Sequence, residues 1–454
     1  MVFTKTNLGI QSTMKKLVIL LFFLSLGFQI NAQNKQWTLK ECVVHALSNN
    51  ISIKQSTLNI DLTEIDKSDA IGNFLPTINA GPTISKNTGL SFNPVTNQPE
   101  TITALNLSGG INVGYTIFDG LRNFRQVQRA EISKLASQYR LVKMRDDIAL
   151  FVANGYLQVL LNKANLDVIE IQNAVTLEQI DRVNELVAAG VLPKGDLLEI
   201  KATDAREKQS IAVQENLVRI SLISLAQLLL VKDYETFDIE DEGFDLVDPG
   251  ISANPVDEII GVAKENRTEV KIAEKNVELA SKDLQIAKGG FYPTLSAFFG
   301  YNTRFTDLDE EVFFTQLYLN DGINYGLSLN IPVLNGFGVR NNVRRNKINV
   351  KSREYELEQA ELDLESNIYQ AYVDAQGARK AYEASLASLE SQELAYQYAK
   401  DRFDVGLTNS FDFSQSKLRY DNALIDVNRG KYDYIFKIKV LELYFGVPAM
   451  ELKF

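Results

Sequence analysis

Phe74-Leu75-Pro76-Thr77-Ile78 returns 217 residues later as Phe291-Tyr292-Pro293-Thr294-Leu295. At the same offset Glu41, Asn49, Lys54 and Asn59 meet Glu258, Asn266, Lys271 and Asn276. Further on the offset becomes 216, so that Phe118-Asp119-Gly120 meets Leu334-Asn335-Gly336, Tyr156 meets Tyr372, Gly190 meets Gly406 and Asp196 meets Asp412. A one-residue change of offset between two long matched stretches is what a surface loop accommodates. The chain is a tandem duplication, with copies over about 37–231 and 255–447, and its fold must use one unit twice.

Each copy reads as a helix, two strands, a very long helix and a return helix. Residues 121–189 contain no proline and one glycine, Gly155; residues 339–405 contain no proline and only Gly377. A helix of that length is a rod of roughly 100 Å. Within the second rod Ile368, Ala375, Tyr382, Leu389, Tyr396 and Phe403 fall seven residues apart, and their counterparts are Val152, Val159, Leu166, Asn173, Ile180 and Val187. Eleven of these twelve are apolar. A sustained seven-residue repeat keeps one seam against a partner helix and imposes supercoiling, so the rods are expected to be coiled coils. They should end at tips, Gly190-Val191-Leu192-Pro193-Lys194-Gly195 and Gly406-Leu407-Thr408-Asn409-Ser410, from which helices return over about 196–231 and 412–446. Asp196 and Asp412 suit the first turn of these return helices, where a carboxylate can cap free N–H groups and meets the positive end of the dipole. The return helices are half as long as the rods. The helices before the strands, about 38–73 and 255–289, have the length to pair the rest.

The strands are expected at about 76–86 and 105–118 in the first copy and 293–306 and 322–334 in the second. Ile323, Tyr325, Leu327, Leu329, Ile331 and Val333 alternate with Asn324, Gly326, Ser328, Asn330 and Pro332. Ile111, Val113, Tyr115 and Ile117 alternate likewise with Asn112, Gly114 and Thr116. About ten residues, apolar on one face and polar on the other, is the pattern of a transmembrane β-barrel strand, and also of a half-buried strand in a soluble sheet. Export decides between them. Met14-Lys15-Lys16, the apolar run Leu17–Leu26 and Ile30-Asn31-Ala32 form a signal peptide over residues 1–32, with the start at Met14. No later apolar run reaches the 18–20 residues or so of a membrane helix. If such an exported chain enters a membrane, it must do so as strands. Four strands cannot close a barrel, and open edges in lipid leave backbone groups unsatisfied, so subunits must pool their strands.

Composition narrows the chemistry. With 47 Lys+Arg against 58 Asp+Glu the net charge is −11. Loss of Lys5, Lys15 and Lys16 with the signal, and of no acid, takes it to −14. Nucleic acid is not a partner for such a chain. A single cysteine, Cys42, excludes a disulfide framework and multi-cysteine metal sites. The linker 232–254 is acidic, with eight acids and no base over residues 233–248, and reads as a solvated connection without the spacing of a calcium loop. The one histidine, His45, aligns with Val262 of the other copy, which argues for packing over catalysis. Gly190–Gly195 has the glycine spacing of a phosphate loop, but Asp196 stands where lysine is required. No cofactor and no enzymatic activity are expected.

Signal peptide, tandem repeat, paired strands and rods together resemble the TolC-type outer-membrane efflux proteins. The resemblance covers nearly the whole mature chain; its most specific pieces are the two Phe-x-Pro-Thr strand entries and the tips Gly190–Glu199 and Gly406–Gln415. It implies a mostly α fold with a small β part: tandem-repeat coiled-coil hairpins plus four transmembrane strands per subunit, forming a homotrimer with a 12-stranded barrel and an α-helical periplasmic tunnel. It implies an exit duct of a tripartite efflux or type I secretion system. The partners would be a periplasmic adaptor (membrane fusion) protein, an inner-membrane transporter and outer-membrane lipid. In the family, acids just after the second tip narrow the entrance. Asp412 occupies the first of these positions and Gln415 the second, so the double acidic ring is reduced here, while Asp196 and Glu199 stand at the matching places of copy one. Exposed Val191, Leu192, Leu407 and Phe411 are the implied adaptor contacts. The competing reading is a soluble periplasmic coiled-coil adaptor or structural protein, which the duplication and the four alternating strands disfavour.

Overall fold

The structure, a computed structural model, describes residues 36–92, 96–243 and 255–447. The signal segment, the linker beyond Gly243 and the tail 448–454 lie outside the described residues. In chain order the elements are β1 (Gln36–Trp37), α1 (Leu39–Asn49), α2 (Ile51–Gly72), β2 (Thr77–Phe92), β3 (Pro99–Phe118), α3 (Arg122–Ala188), α4 (Lys194–Leu229), β4 (Asp238–Ile239), α5 (Val256–Asn266), α6 (Thr268–Gly289), β5 (Thr294–Thr306), α7 (Phe313–Leu319), β6 (Gly322–Asn330), α8 (Gly338–Asp404) and α9 (Ser410–Tyr444). Helices of the two copies match in length: 11 residues for α1 and α5, 22 for α2 and α6, 67 for α3 and α8, and 36 against 35 for α4 and α9.

Each helix before the strands is two helices. The first breaks at Asn50, whose side-chain oxygen accepts from the Ser52 N–H at 2.8 Å and so starts α2 afresh. The second breaks at Arg267, which takes extended backbone angles.

The chain divides into two compact units. One is built from residues 36–46, 152–243 and 385–432. In it β1 and β4 form a two-stranded parallel ladder, Gln36 opposite Asp238 and Trp37 opposite Ile239. Tyr156, fully buried on α3, places its hydroxyl 2.6 Å from the Glu240 carbonyl and 3.1 Å from the Trp37 carbonyl. Lys163 adds bonds to the Asp238 carboxylate at 2.6 Å and the Ile239 carbonyl at 2.9 Å. This corrects the reading of the linker as a solvated connection. Its first part docks, because Phe237 and Ile239 alternate with the acids and bury their side chains.

The other unit is built from residues 47–92, 96–151, 255–384 and 433–447. Its helical core joins Ile259, Ile260, Ala263 and Val270 of α5 and α6 to Leu364, Ile368, Ala371 and Ala375 of α8 and Leu441 of α9. Its sheet is antiparallel in the order β2-β3-β5-β6. β2 runs on to Phe92 and β3 starts at Pro99, because pairing continues without a break from Thr77 opposite Gly114 to Phe92 opposite Pro99. The added stretch is rich in Ser, Thr, Asn and Gly, and its few apolar residues, Leu90, Phe92, Ile102 and Ala104, are too sparse to extend the expected strands. β6 ends at Asn330 instead of 334; Pro332 has no N–H to give a ladder. α7, inserted between β5 and β6, had no expectation in the sequence.

Register sorts the sheet into two faces. Ile111 lies opposite Tyr301 and Tyr301 opposite Ile323, while Val113, Phe299 and Tyr325 form the next row. The alternate rows carry Asn112 with Gly300 and Asn324, and Gly110 with Asn302 and Gly322. The apolar face is solvent-exposed within one subunit, Tyr325 at 77% and Leu327 at 67%. Among the described residues no helix is long and apolar enough to cross a membrane.

Candidate functional site

Both rods end in the same way. Gly190 and Gly406 each adopt φ of 76°, in the left-handed region that a β-carbon disfavours. The following N–H groups, of Val191 and Leu407, reach back to the carbonyls of Leu186 and Arg402 at 2.9 and 2.8 Å. This is the glycine-terminated cap that closes the last helical turn. Arg182 of α3 and Asp404 of α8 pair at 2.9 Å across the two rods.

Behind the tips lies one apolar cluster, made of Val183, Ile200, Tyr396, Phe403 and Phe413. Phe403 stacks on Phe413 with centroids 4.9 Å apart, and Tyr396 stacks on Tyr420 at 5.2 Å. The rods and the return helices of both copies meet here, which explains the seam residues Ile180, Val187, Tyr396 and Phe403.

The seven-residue seam has one polar member, Asn173, and it is buried. Its amide donates to Asp204 and to Glu207, each at 3.0 Å. Thr176 donates to Glu207 at 3.0 Å. Lys417, whose side chain is 3% exposed, reaches Glu207 at 2.8 Å and Asp421 at 3.1 Å. A buried charge is tolerable only when paired and hydrogen-bonded, and these residues from α3, α4 and α9 supply that pairing. Burial pushes the Asp421 carboxyl up to about 6 against the pull of Lys417, and burial likewise raises the Tyr396 phenol to about 12. Hydrogen bonds from Lys208 and Asn173 outweigh desolvation at Asp204 and hold its carboxyl below the ordinary range. Sequence reasoning missed this network; the lone polar seam residue, Asn173, was its only signal.

The acids after the tips sit differently from each other. Asp196 does not cap α4: Pro193 takes the cap position without a side-chain bond, and the Asp196 carboxylate instead accepts from the Ser410 hydroxyl at 2.6 Å and its N–H at 3.4 Å. Asp412 does not cap α9 either. Asn409 does, accepting from the Asp412 N–H at 2.8 Å, and the exposed Asp412 carboxylate receives only a long bond from Thr408 at 3.3 Å. In both helices the cap position falls earlier, at Pro193 and Asn409, so each acid is the third residue of its helix and lies past the cap. Glu199 pairs with Arg206 at 3.6 Å.

Of the four apolar tip residues, Val191, Leu407 and Phe411 are exposed. Leu192 is not; it turns inward and packs on the tip cluster, because the αL turn at Gly190 points the chain back over the rod end. Glu199 and Phe411 line one groove of about 330 Å³ between α4 and α9, whose floor includes Lys417 and Asp421. Among the described residues no group of three or more His, Cys, Asp or Glu is placed to hold a metal ion. His45 meets Trp37 edge-on with centroids 5.0 Å apart.

A family model described as "Outer membrane efflux protein" matches residues 42–229 and 259–445. Protein CyaE of Bordetella pertussis is 24% identical over 379 residues, covering 81% of this chain and 75% of that one. Outer membrane protein TolC of Vibrio cholerae is 20% identical over 343 residues, covering 75% and 76%. In structure the chain is similar to the Campylobacter jejuni CmeC outer membrane channel, with a TM-score of 0.78, 18% identity, and coverage of 91% of this chain and 86% of that one.

Proposed function

The chain belongs to the outer membrane efflux protein family, and from that premise we propose that three copies assemble into a duct through the outer membrane. In that assembly the four strands of each copy join in a barrel of twelve. A periplasmic adaptor and an inner-membrane transporter deliver substrate to the tips, for efflux or for type I secretion. The duct itself does no chemistry. It is not an enzyme, and its residues serve to span lipid, to hold the helices together and to set the charge at the entrance.

One observation carries this reading. The sheet exposes Ile323, Tyr325, Leu327 and Leu329 on one face, keeps asparagine, serine and glycine on the other, and among the described residues its edge strands β2 and β6 have no further partner strand. In water such edges beside an apolar face invite aggregation. Pairing β6 of one copy with β2 of the next removes both liabilities, provided the apolar face meets lipid. A soluble coiled-coil adaptor would have no use for that face, and the family match speaks against it.

At the tips, the exposed Asp412 is the acid free to line the entrance. Asp196, occupied by Ser410, serves chiefly to hold the two tips together, and Glu199 contributes to the groove. Copies of Asp412 around an axis would favour cations, as charged rings do in other pores. Val191, Leu407 and Phe411 form the exposed apolar contacts for an adaptor, with Leu192 supporting them from inside. Single-channel recording of Asp412→Asn in planar bilayers tests the charge assignment: cation preference falls if Asp412 lines the constriction and is unchanged if it does not.

A further inference from the structure

Between β5 and β6 the chain builds the short helix α7, and its inner side is firmly tied. Gln316 is fully buried. Its side-chain oxygen accepts from the Thr306 N–H at 2.9 Å, and its amide donates to the carbonyls of Thr306 at 3.0 Å, Glu311 at 2.7 Å and Asp309 at 3.3 Å. The Thr303 hydroxyl donates to the Leu317 carbonyl at 2.6 Å, and the Asn320 amide to the Arg304 carbonyl at 3.1 Å. What α7 exposes is therefore held in place.

The Thr303 bond and a ring contact of Phe305 fix the side of the sheet on which α7 lies. Thr303 and Phe305 alternate in phase with Phe299 and Tyr301, the apolar face. Phe305 meets Phe313 edge-on at 5.0 Å and Phe313 meets Phe314 at 5.2 Å, so a row of three rings runs from the apolar face onto the helix. Beyond it, Phe314 and Tyr318, one turn apart, are 81% and 79% exposed, and Val312 and Leu319 are exposed as well. A loop in water gains nothing by ordering four large apolar side chains outward.

The height of the strand says what covers them. β6 has 9 residues; at about 3.4 Å each and a tilt of about 40° it rises about 23 Å, close to the roughly 25 Å apolar band of an outer-membrane barrel. α7 directly precedes β6, at the hairpin end away from α6 and α8, so it falls at the edge of that band. Exposed aromatic side chains at this level are characteristic of the boundary between acyl chains and headgroups.

We propose that α7 is a membrane-interface anchor: it lies on the lipid side of the barrel wall and seats Phe314, Tyr318, Val312 and Leu319 in the headgroup layer of the bilayer. The inference rests on the reading of the sheet as a barrel wall. It commits to lipid as the occupant because the patch continues the apolar face of the sheet through Phe305 and Phe313.

The test places tryptophan at single positions, Phe314→Trp, Tyr318→Trp and, on the sheet itself, Tyr325→Trp, in the full-length protein. Trp37 is common to all and is subtracted with the parent protein. Each variant that keeps the heat-modifiable oligomer is reconstituted in phosphatidylcholine vesicles brominated either near the headgroup end or near the end of the acyl chains. Tryptophan at 314 and 318 should lose more emission to the shallow bromines than to the deep ones, while that at 325 should be quenched through the acyl region. Quenching at 325 with none at 314 or 318 overturns the anchor and leaves the barrel standing; if the emission at 314 and 318 is then blue-shifted, a neighbouring subunit covers α7. No quenching at any position overturns the barrel reading beneath it.

Discussion

At the sheet, Ile323, Tyr325, Leu327 and Leu329 stand exposed on one face while asparagine and glycine hold the other. At the tips, Lys417 lies buried between Glu207 and Asp421, and Tyr396, Phe403 and Phe413 fill a core. The two regions place the same kinds of side chain in opposite surroundings. The tip cluster follows the rule for water: apolar groups inside, buried charges paired. The sheet breaks it within one subunit, which is the ground for proposing that its apolar face meets lipid. On that proposal one chain carries two solvent specifications, and the contrast can be attacked from either side.

The largest effect is expected at the tip. Lys417→Met leaves the Glu207 and Asp421 carboxylates buried without their cation, which should cost about 3–5 kcal/mol and lower the thermal midpoint of the purified protein. A midpoint unchanged from the parent would mean that water in the groove already stabilises the two carboxylates and that the ion pairs add little.

The next effect is expected at the sheet. Leu327→Arg places a charge on a side chain already exposed within one subunit, so in water it would be nearly neutral. On a lipid-facing strand it should cost about 2–4 kcal/mol near the midplane, read as loss of the heat-modifiable oligomer from membrane fractions. The same substitution made at Ser328, on the opposite face, should be milder, and equal losses at both positions would erase the distinction between the faces.

The smallest concerns pH. The Asp421 carboxyl is raised to about 6 in the fold from 3.8. Between these values the folded chain holds a proton that the unfolded chain has released, so the cost of the ionised form is present above about pH 6 and is relieved as pH falls toward 4. Asp421→Asn removes that cost, at most about 3 kcal/mol, less whatever its bond to Lys417 contributes. Its midpoint should exceed the parent's at neutral pH and converge with it in acid. A variant that is less stable than the parent at every pH would show that the bond to Lys417 outweighs burial.

Much of this was legible in the chain and some was not, for physical reasons. The duplication and the seven-residue seam are repeats, and repeats survive in sequence because each copy must meet the same packing demand; Val152, Val159, Ile368 and Ala375 are all fully buried. The tip glycines were legible because φ of 76° excludes most other residues. The far part of β2 and β3 was not, since its pairing runs largely through Ser, Thr, Asn and Gly and leaves only a sparse hydrophobic trace at Leu90, Phe92 and Ile102. The docking of β4 was hidden by its acidic neighbours. The Lys417 network was hidden because Glu207, Lys417 and Asp421 are spread over two helices and look like ordinary surface charges until the helices pack. Asp196 and Asp412 were placed in the right turn but given the wrong partners, because sequence does not say which way a first-turn carboxylate points.

The central claim is that the sheet is one part of a barrel wall completed by other copies of the chain. Native mass spectrometry of the protein, extracted from outer membranes in mild detergent, measures this directly. The account predicts a single species of three mature chains that falls to one chain on heating. A monomer recovered from the soluble periplasm, with the apolar face of its sheet in water, would contradict it.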